Sequence, residues 1–426
     1  MSNETYQIDR RGANEHATPQ SDSAVGFSRC PLIIKPTQLR KSMGLRIVIC
    51  PDSFKGSLSS PAVAEAMAQG ARLVAPDARI ERIPMADGGE GTAERITQAL
   101  DGEWRNVIVH GPDGATTDAS WGWIPAQNRA VIDVASACGL NLTAPERRDP
   151  WQLDSRGVGE LLRCALDHGA EHILIGLGGS GTNDAGAGML SALGVRFLDE
   201  DGKPLIPSPD GLKTLDRVDF SQLDARLGQI KLICLTDVDN PLTGPTGATA
   251  VFGPQKGLAA TDIAAMDARL AQIAKCIKAA RPLHCSPDTL GMGAAGGLGF
   301  ALGAVLGARR QRGSEYLADL LGLDSAIEQA DLVLTGEGAL DTQTAQGKVV
   351  AEVIRRAQRF EKPVICIAGS VHITPAQIKT LGLWTAWPLC GDNVDIDAAI
   401  SRAAAMIAER TAEATVAWLD ASSRKD

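Results

Sequence analysis

Glu171 to Gly194, EHILIGLGGSGTNDAGAGMLSALG, reads as an apolar strand, a glycine turn and a small-residue helix in immediate succession. That order makes an anion site. Glycines let the backbone approach a phosphate, while the unpaired first N–H groups of the helix and its dipole point positive charge at it. Gly176, Gly178 and Gly181 spell GxGxxG, and Asp199 follows about twenty residues on, where a dinucleotide fold places its ribose-binding acid. A nicotinamide-dependent dehydrogenase is therefore one reading. Thr182, Asn183 and Asp184 support another, because they fall in the expected first helical turn, where a carboxylate competes with a bare pyrophosphate for the same dipole. A divalent cation bridging Asp184 to phosphate oxygens removes that conflict and points to metal-assisted phosphoryl transfer. A third reading leaves Asp184 as a helix-end acid and the glycines as packing residues.

Outside this stretch the composition narrows the classes. At 426 residues the chain exceeds one ordinary core, and about 150 residues per domain suggests two or three domains, of which two are expected. Hydrophobic residues make 44%, charged residues 22%, and the net charge of −9 is dispersed, which describes a soluble globular protein and excludes a nucleic-acid binder. Aromatics at 4% cannot build base-stacking platforms. The nine cysteines form no CxxC and no regular framework, so reduced thiols and a cytoplasmic location are expected. His168 and His172 straddle a glycine at a helix end and read as surface residues, not zinc ligands.

Residues 1–42 are polar and aperiodic, without the apolar run of a signal peptide. They read as a disordered extension, with Met43 standing directly before the first good strand. That strand, Leu45 to Cys50, delivers Asp52, Ser53, Phe54, Lys55 and Gly56 at its tip before a helix over Ser59 to Val74. A second strand, Arg79 to Pro84, delivers MADGGEGT in the same way, and polar residues at the carboxyl ends of strands are where open α/β sheets do chemistry. Asp52 and Asp87 alternatively serve only turns and caps. From Trp104 to Leu140 short alternating runs separated by Asp113-Gly114 and Ala126-Gln127-Asn128 signal antiparallel hairpins. Lys231 to Thr236 is a buried strand ending in Asp237, Asp239 and Gly244, and Thr261 to Ala280 is an amphipathic core helix. The uncharged stretch Gly291 to Ala308 is too rich in glycine for a membrane span and reads as a glycine loop with a tightly packed helix. The strand Asp331 to Thr335 leads into Gly336-Glu337-Gly338, with Gly347 and Lys348 opening a helix that fails the Walker A pattern.

In this order, PDSFKGSLS, ADGGEGT, GLGGSGTNDAG, TDVDNPLTGPTGA, GAAGGLGFALG and TGEGALDTQTAQGK closely resemble the motifs of the bacterial glycerate kinase family, from Met43 to the last helix. The resemblance implies ATP-dependent phosphorylation of D-glycerate, giving 2-phosphoglycerate and ADP, on a two-domain α/β fold. A Rossmann-like parallel-sheet domain over 43–86 plus 288–426 would receive a mixed α/β domain over 87–287 as an insertion. ATP and Mg2+ are the implied cofactors. Nucleic acid and membrane are not expected partners, and a homo-oligomer is left open. A non-catalytic sensor of nucleotide or sugar acid competes with the dehydrogenase as the alternative.

Within that frame the phosphate cradle falls on Gly178, Gly179, Ser180, Gly181 and Thr182, with 293–297 as second choice. Lys348 and Lys55 are placed to reach the transferred phosphoryl, and Lys55 or a nearby arginine to hold the glycerate carboxylate. Asp52, Asp87, Asp184, Asp237 and Glu337 are the strand-end or loop acids, Glu337 being assigned to the nucleotide. Asp237 and Asp239 stand two apart, so in extended backbone they point the same way and are assigned to the metal. Asp184, with a pKa expected to be depressed at a helix terminus, is assigned to orient the acceptor hydroxyl, and Asp87 stands next in line.

Overall fold

β-Branched and aliphatic runs such as RIVI at Arg46–Ile49 need burial on both faces, and the computed structural model supplies it in two sheets. Residues 44–341, 349–389 and 400–422 are described, along with the backbone of Tyr6–Gln7 and Ile33–Ile34, which pair antiparallel. The expected disorder of residues 1–42 otherwise lies outside the described residues, as does residue 348, so the assignment of Lys348 does too. The chain divides into two compact units. One comprises Met1–Pro84, Ser325–Gln343 and Val353–Asp426, and the other Met85–Asp324 and Thr344–Glu352.

The first unit carries five parallel strands in the order Thr385–Pro388, Val364–Val371, Leu332–Leu340, Arg46–Ile49, Arg79–Arg82. Numbered along the chain this is the doubly wound order 2-1-3-4-5, whose switch point falls between Arg46–Ile49 and Leu332–Leu340. The second unit enters the chain after the second strand and before the third. Ser60–Val74 starts with Pro61 in its first turn and buries Val63, Met67, Ala71 and Val74, a helical stripe. Met67 joins Ile47, Ile49, Leu334, Ile365, Ile367 and Ile407 in one core. Ala403–Ser422 crosses Ser60–Val74 at Gly70, where a Cβ would lie 2.1 Å from the Ala408 carbonyl oxygen.

Six strands form the sheet of the second unit: Arg309–Gln311, Lys231–Leu235, His172–Gly176, Arg129–Asp133, Thr116–Ile124 and Glu103–His110. The first four are parallel; the last two continue antiparallel through the expected hairpins. Arg156–Asp167 and Ile263–Ala280 bury their apolar faces in its core. Gly291 to Ala308 is buried apart from Leu306 and Gly307: a helical turn over Ala294–Gly299 kinks through left-handed Ala295, Gly296 and Gly297, then runs on through Phe300–Val305. This segment corrects the expected boundary at 287/288, because the second unit continues to Asp324. A Cβ on Gly296 would meet the Thr182 carbonyl oxygen at 2.0 Å, and Arg309–Gln311 extends the sheet beside Lys231–Leu235, so residues 288–324 complete the second core.

Candidate active site

In the first unit the backbone stays paired beyond the switch-point strands, with Cys50 N–H donating to Leu334 C=O and Asp52 N–H to Gly336 C=O, both at 2.8 Å. Asp52 is nearly buried and accepts the Ser53 N–H at 2.7 Å. A tight turn, Phe54 N–H to Leu58 C=O, carries Lys55 and Gly56 out as an exposed tip. Gly338 comes alongside the backbone of Phe54 and Lys55, and Glu337 is buried beside it in sequence. Asp52, Lys55 and Glu337, three of the residues assigned from sequence, thus share one switch point, the position at which open α/β sheets bind ligands.

The second unit builds its own site at the carboxyl ends of its four parallel strands. Met85 to Gly91 folds across those ends, and the fit requires missing side chains: a Cβ on Gly178 would lie 2.2 Å from the Gly89 Cα, and one on Gly313 would lie 2.4 Å from the Gly88 nitrogen. Asp133, at the end of Arg129–Asp133, pins the loop by accepting N–H bonds from Gly91 at 3.0 Å and Ala93 at 3.0 Å, which caps Thr92–Ala99. Burial pushes the Asp133 carboxyl up to about 8 against those two hydrogen bonds, with Glu90 and Asp87 adding to the rise. Asp237 is likewise pushed up to about 7, first by burial and then by Asp87, against the opposing Ser314 hydrogen bonds. Asp87, Asp133 and Asp237 therefore crowd negative charge at one strand-end surface.

Of the predicted cradle, Gly178 and Gly179 reach the surface, whereas Ser180, Gly181 and Thr182 are buried. The segment is held from one side by Cys138 to Leu140: Gly181 N–H donates to Cys138 C=O at 2.7 Å and Leu140 N–H to Gly179 C=O at 2.9 Å. The expected helix start at Thr182 is corrected. Ala185 at φ 55 and Gly186 at φ 73 are left-handed, so no helix can run through them, and helix begins only at Ala187–Ala192. The dinucleotide fingerprint loses its geometry with that shift, since its third glycine no longer opens a helix.

Asp184 is corrected for the same reason. Its carboxylate is fully enclosed and accepts the Ser155 N–H at 2.8 Å, the Ser155 hydroxyl at 2.7 Å, and the N–H groups of Gly186 and Gly188 at 3.0 Å. Burial raises its pKa, the opposite of the expected depression, because the loss of hydration outweighs the hydrogen bonds from Ser155 and Gly188 that favour the carboxylate. Those bonds tie the loop to the start of Arg156–Asp167 and leave no face of Asp184 for a substrate hydroxyl. The second-choice cradle at 293–297 is buried as well.

Asp239 does not accompany Asp237. It pairs with Arg310 and, at 2.8 Å, with Arg312, while Asp237 faces the Ser314 N–H at 3.4 Å. The two-residue spacing fails to align them because the strand ends at Leu235 and the backbone beyond it is irregular. Arg309, Arg310, Gln311, Arg312, Glu315 and Asp319 line a cleft of about 410 Å³ beside this pair. Among the described residues no three His, Cys, Asp or Glu side chains converge closely enough to hold a metal unaided. Mg2+ does not require three, since one or two carboxylates with substrate phosphates suffice, and crowded Asp237 and Asp87 fit that need.

The sequence reading passed over Asp133 and Lys256. Asp133 closes a buried run, AVID, and Asp237 directly follows another, LICLT, and that parallel was available. Lys256, flanked by Gln255 and Gly257, is buried with its ammonium donating to the Ser180 hydroxyl at 3.1 Å and the Thr182 carbonyl at 2.6 Å. Nothing local announces a buried lysine.

A doubly wound parallel sheet with acids, lysine and glycine turns at its switch point, and a second sheet ending in glycine loops and carboxylates, define an α/β kinase. The sequence profile of the glycerate kinase family matches residues 47–419. A glycerate kinase of Bacillus subtilis (strain 168) is 42% identical over 368 residues, 86% of this chain and 96% of its own. The glycerate 2-kinase of Escherichia coli (strain K12) is 45% identical over 328 residues, 77% of this chain and 86% of its own. A crystal structure of a candidate glycerate kinase 2 from Salmonella typhimurium LT2, 43% identical, superposes with a TM-score of 0.72 over 89% of this chain and 100% of that one. The chain belongs to the glycerate kinase family.

Proposed function

We propose that this enzyme transfers the γ-phosphoryl of ATP to the 2-hydroxyl of D-glycerate, giving 2-phosphoglycerate and ADP. The observation that carries the reading within the structure is the contact of Gly178 with Gly89, which brings two glycine loops together on the carboxyl ends of four parallel strands, beside Asp87 and Asp237. The family match supports glycerate as acceptor, and the E. coli relative's name supports the 2-position. In the second unit Gly178 and Gly179 offer backbone to the donor's phosphates. Asp237 and Asp87 would hold Mg2+, which when bound neutralises charge on the phosphates. Asp87 also takes over orientation of the acceptor hydroxyl, since Asp184 is enclosed. In the first unit Asp52, Lys55 and Glu337 keep, at their own switch point, the roles read from the sequence, Lys55 as a mobile point charge. A cytoplasmic location belongs to this reading and rests on the seven unpaired thiols among the described residues. No helix among the described residues is long and apolar enough to cross a membrane.

The test is purified protein with ATP, Mg2+ and D-glycerate coupled to ADP detection, with a parallel incubation in NAD. Glycerate-dependent ADP release is expected, and the phosphate position in the product is read by phosphorus–proton correlation NMR. NAD reduction, or a 3-phosphate product, contradicts the corresponding part.

A further inference from the structure

Lys256 is the only lysine among the buried residues described, 2% exposed, at the end of a short 3-10 turn, Pro254–Lys256. An ammonium in such a place loses hydration that a methionine of similar length would not miss, so its retention calls for a task that needs its donors or its charge. Two of its N–H groups go to one loop, on either side of Gly181: the Ser180 hydroxyl and the Thr182 carbonyl. The opposite edge of that loop is already fixed by Cys138 to Leu140. Clamped between them, residues 180–182 support Gly178 and Gly179, the part that reaches the surface.

We infer that Lys256 is a positioning residue for the phosphate donor, holding Ser180 and Thr182 from the buried side so that the backbone at Gly178 and Gly179 is shaped before the donor arrives. The inference rests on the reading above that this loop takes the nucleotide. Preorganisation of this kind spares the donor the cost of ordering the loop. Burial lowers the Lys256 pKa to about 8, with Cys138 and Asp184 opposing the drop, so the ammonium form still prevails at neutral pH. Its positive charge then lies beneath the loop, on the side that favours an anion above.

Lys256→Met and Lys256→Arg in the full chain, with Gly179→Val alongside, test this through thermal melting, ATP calorimetry without acceptor, and steady-state kinetics. Lys256→Met is expected to fold, to weaken ATP binding and raise the KM for ATP about tenfold or more, and to leave the KM for glycerate within about threefold. Lys256→Arg is expected to recover part of the ATP affinity. If folded Lys256→Met binds ATP within about twofold of the parent while Gly179→Val loses it, Lys256 is a packing residue and the inference falls alone. If both variants bind ATP as the parent does, the loop is not the nucleotide site and the underlying reading falls with it. Should Lys256→Met fail to fold, Ser180→Ala removes one acceptor and leaves the lysine in place. A KM for ATP raised about threefold with glycerate unaffected supports the clamp, and an unchanged KM overturns it.

Discussion

Asp184 shows how one side chain changes meaning when its surroundings are known. In sequence it is an acid after a glycine loop, suited to a metal or a hydroxyl. In the structure all its acceptor capacity goes to Ser155, Gly186 and Gly188. Removing part of such a buried set leaves N–H groups without partners, each costing about 1–3 kcal/mol. Asp184→Asn is therefore expected to lower unfolding free energy by at least about 2 kcal/mol, read from a denaturant titration. A variant as stable as its parent yet slow in turnover would return Asp184 to the chemistry. Asp239 is reassigned in the same way, from metal ligand to anchor of Arg310 and Arg312. Asp237 is half-buried, faces the Ser314 N–H, and is the acid proposed for the metal.

Among the helices, Ser60–Val74 and Ala403–Ser422 make the closest approach that the first unit depends on. Gly70 sits at their crossing with no room for a methyl group, since the atom it would meet is a backbone oxygen that cannot rotate away. Gly70→Ala should push the helices apart and cost about 1–3 kcal/mol, seen as a lower denaturation midpoint with an unchanged slope. A neutral result would mean that Ala403–Ser422 shifts freely along its partner. The amphipathic stripe of Ile263–Ala280 was legible because a 3.6-residue period needs no partner to be recognised. The short helix Ala187–Ala192 was misplaced because small residues such as Gly and Ala suit a helix start and a left-handed loop alike.

For the molecule as a whole, the carboxylates gathered at the second unit's strand ends set a pH dependence. Asp133 and Asp237 hold their protons up to about 8 and about 7, above the 3.8 of an unfolded chain. The folded state therefore binds more protons in between, so their contribution is fully present below pH 3.8 and is lost as pH rises through 7 and 8. Lys256, lowered from 10.5 to about 8, acts only above that window, where the unfolded chain binds the extra proton and stability rises with pH. The melting temperature of the metal-free protein should fall between pH 5 and pH 8, and Asp133→Asn should flatten part of that fall. An identical slope in the variant would show that Asp133 titrates as an ordinary surface acid.

The linear chain carried the α/β class, the run of buried strands, the hairpins and the six motifs, because periodicity, turn chemistry and glycine placement are local properties. It also carried Asp52, Lys55 and Glu337 to strand ends that prove to be neighbours across one switch point. Where the second unit ends, which acids face one another and which lysine lies buried were settled only by packing. Residues 288–324 belong with the second core because Gly296 and Arg309–Gln311 meet partners distant in sequence. Asp133 rises toward 8 because packing buries it, with Glu90 and Asp87, remote in the chain, adding to the rise. Burial and long-range proximity decide charge state and accessibility, and neither is a property of a residue's immediate sequence neighbours.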